Sequence, residues 1–213
     1  VVVDEALAAF LDAASTAVQL LERDELAARW GHGSVLPRFS VAALAGHLLR
    51  AMTTAEHYLD GPEPSEDGIS AASYFQAVTG PAGIDDPASK AVRDRGEHAA
   101  AGGPAALASQ ARQAFERLSS QLPRVEPGRR VRVAASLVLT LDEYLRTRVV
   151  ELVVHADDLA ASIGVELAPP QPRTCTIAID TLVDVARLRH GDIAVLRALT
   201  RRERDQVEAL RVL

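Results

Sequence analysis

A single cysteine, Cys175, among 213 residues excludes an internal disulfide and any cysteine-rich zinc module. That scarcity fits a reducing compartment, so a cytoplasmic setting is expected. Cys175 itself reads as a small packing residue. Aromatic residues make up only 4% of the chain, and the apolar weight falls on Ala, Leu and Val. Closely packed helices follow from that balance more naturally than a sheet. No apolar run reaches the roughly 18 residues of a membrane-spanning helix. The opening VVVDEALAAF shows neither a basic n-region nor a small-residue cleavage site, so a soluble, unexported protein without a membrane partner is expected. The net charge is −6 with mixed signs, and no basic block is interleaved with aromatics. Nucleic acid is therefore not an expected partner. A Ser-His-Asp order, a phosphate-binding glycine loop and a dinucleotide fingerprint are also lacking.

What the chain does have is 48% hydrophobic content, enough for one core with a small appendage. Residues 4–22 begin acidic and then place Leu7, Phe10, Leu11, Ala14, Val18 and Leu21 at helical spacing, which predicts a first amphipathic helix. The loop WGHGSVLPRFS ends at Ser40, a suitable N-cap for the second helix, VAALAGHLLRAMTTAEHYL. Residues 60–104 hold most of the breakers, with short helical pieces expected near Ser70–Val78 and Pro87–Ala99, and read as a rim or lid. A third helix is expected over about Ala105–Gln121. The fourth and longest is expected across ASLVLTLDEYLRTRVVELVVHADDLAASIG, ending at Gly164. The Pro-rich VELAPPQPR then leads to smaller helices, one over about Thr174–Arg189, with Thr200 and Glu203 as a capping box for the last. Residues 1–165 thus read as a helical bundle and 166–213 as a linker with a helical extension.

Within the fourth helix, Tyr144, Glu151 and Asp158 are seven apart and drift only about 20° per step, with Arg148 and His155 beside them. This polar stripe is narrow, and Val, Leu and Ala cover most of the remaining circumference. A plain solvated face would explain it. A surface sector, however, more often carries Lys and Glu than Tyr, Glu and His. Glu151 and His155, four apart, place two metal-capable groups on adjoining turns. On the second helix, His47 lies on a stripe of small residues, Ser40, Ala43, Ala51 and Thr54, which leaves room around its imidazole. Taken singly, His47 could equally be a satisfied core or surface histidine.

Together His47, Glu151 and His155 make a two-His, one-carboxylate set. Such a set binds zinc with a fourth position open, or Fe(II) as a facial triad, so the divalent metal is not fixed by ligand type. Asp158 or Asp157 could orient a ligand imidazole from behind. Without metal, Arg148 could pair with Glu151 one turn away. Arg50 and Arg148 are the cations near enough to meet a substrate. His57 falls about 80° off the His47 stripe, and His32, His98 and His190 fit loop or helix-end surface positions.

Trp30, Pro37 and His47-Leu48, joined with ELVVHADDLA late in a long fourth helix, resemble the mycothiol-dependent maleylpyruvate isomerase family of the DinB-like superfamily, over roughly residues 4–165. The resemblance implies an all-α, up-down-down-up four-helix bundle with one divalent metal, usually zinc, at one end. It implies His47, Glu151 and His155 as ligands, mycothiol as cosubstrate, and thiol transfer to, or thiol-assisted isomerisation of, a small electrophile. The alternative is a non-catalytic metal- or ligand-binding member with a structural or regulatory role. An apolar bundle face could also support a homodimer, although no residue pattern locates it.

Overall fold

The computed structural model describes residues 5–79, 85–205 and 207–212. In chain order its helices are α1 (Glu5–Leu21), α2 (Asp24–Arg29), α3 (Val41–Leu59), α4 (Ala71–Val78), α5 (Pro87–Ala99), α6 (Pro104–Gln121), α7 (Leu141–Ile163), α8 (Pro172–His190) and α9 (Asp192–Thr200). Two short strands, β1 (Arg130–Arg132) and β2 (Val138–Thr140), pair antiparallel with Val131 opposite Leu139. The architecture is all-α, a helical bundle with a single two-stranded sheet among the described residues. Among the described residues no helix is long and apolar enough to cross a membrane.

Helices α1, α3, α6 and α7 form the bundle, with α7 packed on both α1 and α3, and α6 on the opposite side of both. Alanines set its tightness. Ala6, Ala9, Ala13, Ala14 and Ala17 on α1 are all buried, as are Ala43, Ala45, Ala51 and Ala55 on α3. Small side chains at the contacts let helix axes approach to the short end of the usual 8–10 Å. Leu44, Leu48, Leu49 and Met52 fill the interior beside Phe10, Val149, Val150 and Leu152. Helix α8 lies across α1, α4 and α7, and its Ile177, Ala178, Val185 and Ala186 join the same core.

The expected second helix is closed at its start as anticipated, with Ser40 Oγ accepting from the Ala43 amide at 3.0 Å. The expected fourth helix starts later. It begins at Leu141, because Ala134–Ser136 form a tight turn and Val138–Thr140 are extended. The physical reason is legible afterwards: Thr140 and Glu143 make a T-x-x-E start signal, and Thr140 Oγ1 accepts from the Glu143 amide at 3.3 Å. Glu143 does not fold back on its own N-cap. It reaches across to accept from the Ala71 amide at 2.6 Å, capping α4. Gly164 ends α7 in the left-handed conformation, φ 75°.

The expected capping box at Thr200 and Glu203 is also corrected. Thr200 is the last residue of α9, and its hydroxyl bonds back to the Leu196 carbonyl at 2.7 Å. Gly191, at φ 81°, had already separated α8 from α9. Helix α2 was missed because its six residues are too short for a periodic signal. Residues 80–84 of the expected lid lie outside the described residues.

Candidate metal centre and its pocket

Helices α3 and α7 cross so that the face of α3 bearing His47, Ala51, Thr54 and Tyr58 looks onto the face of α7 bearing Tyr144, Arg148 and Glu151. These residues line one cavity of about 410 Å³. At one wall His47 Nε2 donates to Glu151 Oε2 at 3.0 Å. His155 Nε2 lies 3.4 Å from the same oxygen, and its Nδ1 donates to Asp158 Oδ2 at 3.0 Å. The two imidazole rings meet edge to face, 4.8 Å between centroids. All three side chains are about four-fifths buried, with 20%, 17% and 20% exposure for His47, Glu151 and His155.

Burial alone would raise the Glu151 carboxyl, but hydrogen bonds from His155 and His47 and the charge of Arg148 hold it well below the usual carboxylate range. Burial lowers His47, and its bond to Glu151 offsets this only in part, so it favours the neutral imidazole. His155 goes the other way. Burial is outweighed by the hydrogen bonds to Asp158 and Glu151, which push it up to about 9. The site therefore contains an ionised carboxylate, one neutral imidazole and one imidazolium held by two carboxylates.

The donor atoms of His47, Glu151 and His155 all lie within 4.8 Å of one another. Ligands bound to zinc at 2.0–2.1 Å in tetrahedral geometry are separated by about 3.3 Å. The contacts of 3.0 and 3.4 Å to Glu151 match that edge, and the remaining donor pair lies within 4.8 Å, so the donor set suits a divalent ion. Asp158 holds the far nitrogen of His155, the arrangement that fixes a ligand imidazole by its outer N–H.

Asp157 is exposed and lines a different groove with Ala13 and Leu167, so it does not take the orienting position. The expected Arg148–Glu151 pair is likewise corrected. Glu151 has its ion-pair contacts with the two histidines. The Arg148 guanidinium instead stacks 4.9 Å from the Tyr144 ring centre and 5.9 Å from that of Tyr74, while its Nε donates to Thr147 Oγ1 at 3.0 Å. The attraction of a guanidinium to two aromatic faces accounts for its position away from the Glu151 carboxylate. Arg50 lies on the cavity wall as anticipated; His57 is exposed and packs on Tyr58.

Among the lining residues that the sequence did not single out are Tyr58, Tyr74 and Arg95. Tyr58 had a usable signal, because it lies eleven residues after His47, three helical turns on the same stripe. Tyr74 and Arg95 had none. They come from α4 and α5, whose placement over the α3–α7 crossing is a tertiary matter. Tyr144, seen in the stripe, is buried; its hydroxyl donates to Thr54 Oγ1 at 3.0 Å, and burial pushes it up to about 12.

The profile of one family, described as mycothiol maleylpyruvate isomerase N-terminal domain, matches residues 4–160, more than half of the chain. The chain belongs to this family. A crystal structure described as that of the mycothiol-dependent maleylpyruvate isomerase has the same fold, with a TM-score of 0.54 at 16% identity. The similarity covers 84% of this chain and 67% of that one. No curated protein matches the chain. Family membership covers every member of the His47, Glu151, His155 and Asp158 cluster, since the match runs through residue 160.

Proposed function

We propose that this chain is a metal-dependent enzyme that uses a low-molecular-weight thiol, mycothiol, to modify or isomerise a small electrophile in the cytoplasm. The observation that carries the reading is the convergence of His47, Glu151 and His155, the first two lining a 410 Å³ cavity, in a member of this family. His47 Nε2, Glu151 Oε2 and His155 Nε2 would hold the divalent ion, zinc being the best match to the donor set. Bound there, the ion supplies positive charge that favours the ionised form of a thiol near neutral pH.

The chain's own residues do the rest. Asp158 orients His155. The Arg148 guanidinium keeps the cavity positive next to Glu151, and Tyr58 and Tyr74 wall the space in which thiol and electrophile meet. The thiol sulfur forms a bond to an electrophilic carbon, whose π-electron pair moves onto the adjoining atom. Isomerisation follows when the new single bond rotates and the pair returns to expel the thiol; transfer follows when that atom takes a proton and the adduct leaves. Residues 1–165 carry this site, and residues 166–213 act as linker and extension.

Metal analysis of the full chain tests the reading. One zinc per chain is expected, lost in both His47→Ala and His155→Ala with helical circular dichroism retained, and mycothiol should bind only to the zinc-loaded form. A second reading is favoured by one observation: His47, Glu151, His155 and Asp158 already form a continuous hydrogen-bonded chain. In that reading the network is structural or serves ligand binding without catalysis. A wild-type protein that takes up no zinc, with both variants losing stability instead, selects it.

A further inference from the structure

Apart from Val35, every large apolar side chain left exposed among the described residues lies between Ile179 and Leu210, in α8, α9 and the segment that follows. Scattered exposed leucines are ordinary, but a concentration of them marks a contact surface. Helix α9 carries its densest part. Val195 is buried on the inner side, where α9 packs on α8. Ile193, Leu196 and Leu199 follow one another at separations of three, which places them on one stripe about 120° wide. They are 59%, 57% and 62% exposed. Val207 widens the stripe, since it shares a hollow with Ala194 and Arg197. These side chains together offer on the order of 400 Å² of apolar surface, which matches the largest patch of a typical monomer. A helix of nine residues depends on packing for its stability, yet here only one side is covered.

The charges beside the stripe are of both signs. Asp192 opens α9, Arg197 and Arg201 stand at its end, and Glu203 and Asp205 alternate with Arg202 and Arg204. Among the described residues, Arg197 and Arg201 form no ion pair within the chain. We infer that α9 is the contact helix of a symmetric homodimer, its stripe lying antiparallel on the same stripe of a second copy. A two-fold axis at Leu196 sets that residue against its own counterpart and Ile193 against the partner's Leu199, the self-complementary pattern of an isologous contact. The same arrangement brings Asp192 and the N-terminal end of one helix towards Arg201 and the C-terminal end of the other, which suits both the side-chain charges and the helix dipoles. The interspersed acids suit a second copy of this surface better than an anionic lipid bilayer, which calls for a uniformly basic flank. With its polar rim, the paired stripe reaches the roughly 600 Å² per partner at which specific interfaces begin. No residue of α9 lines the cavity that holds His47 and Glu151, so the dimer and the metal site stand or fall separately.

Sedimentation velocity of the full chain over a range of concentrations tests the contact, with circular dichroism and zinc content measured on the same samples. The wild-type chain is expected to dimerise. Leu196→Glu and Leu196→Lys should each weaken association at least about a hundredfold, because each places like charges against one another on the axis. Both substitutions fall on an exposed side chain, so helix content and zinc content should not change. An equimolar mixture of the two variants should regain dimer at low salt, where opposite charges meet across the axis. Val35→Glu, an exposed apolar position outside the extension, should dimerise as the wild type does. A monomeric wild type overturns the inference, and one that instead binds phosphatidylserine vesicles assigns the stripe to a lipid surface. A dimer that persists in both Leu196 variants has its contact elsewhere and overturns the inference too. Failure of the mixture to regain dimer overturns the two-fold placement at Leu196.

Discussion

His155 carries two demands that oppose each other. Asp158 and Glu151 stabilise its imidazolium, with the folded value pushed up to about 9, whereas a metal ligand must present a free lone pair. His47, lowered by burial, is already neutral near pH 7 and gives up no proton. Zinc uptake should therefore release one proton, not two. Apparent zinc affinity is expected to rise about tenfold per pH unit between pH 7 and 9 and to level off above that. Titration of the metal-free chain at several pH values checks this; a slope of two, or none, contradicts it. The Glu151–His155 and His155–Asp158 contacts were legible in the sequence, since separations of four and three place side chains on one helical face. The contact of His47 with Glu151, 104 residues apart, was not. Spacing put each on a stripe, and only the crossing of α3 on α7 put the stripes together.

The pair α3 and α5 shows how a helix crossing is set by what is missing from it. A Cβ on Gly46 would lie 2.0 Å from the Gly96 carbonyl oxygen, and one on Gly96 would lie 2.3 Å from the Ala43 carbonyl oxygen. The two backbones are in direct contact at the turn that carries His47. Gly96→Ala is expected to cost about 3 kcal/mol, the upper end for overpacking, because the obstruction is backbone and cannot rotate away. Gly33→Ala, which meets nothing within 4 Å, should stay within about 0.5 kcal/mol. Urea unfolding of both variants gives the comparison, and equal losses would refute the close-contact argument. The delayed start of α7 belongs here too. Freedom from Pro and Gly between Ala135 and Thr140 does not make a helix, because Val138–Thr140 gain more by pairing with Arg130–Arg132, and the Ile69 amide adds a bond to the Val138 carbonyl at 2.8 Å.

Helix α8 is joined to the cavity rim through Arg189. Its guanidinium donates to the Phe75 carbonyl at 3.3 Å, to both the carbonyl and hydroxyl of Thr79, and to the Val212 carbonyl at 2.7 Å. It thereby closes the C-terminal end of α4, whose Val78 and Thr79 line the cavity. Arg189→Ala should lower stability by about 1–3 kcal/mol. It should also speed amide hydrogen exchange selectively over the last turn of α4, leaving α1 and α6 protected. Uniform acceleration throughout the bundle would show that Arg189 supports the core rather than the cavity rim.

Composition and periodicity by themselves determined the helical class, the long helices, the cap at Ser40 and the two polar stripes, because each depends on residues within a few turns of one another. Tertiary structure alone decided that the stripes face each other, that Arg148 leaves Glu151 for two tyrosine rings, and that α4 and α5 bring Tyr74 and Arg95 to the cavity. Those outcomes depend on how helices far apart in sequence pack, and packing is governed by shape at the crossings, down to the absent side chains of Gly46 and Gly96.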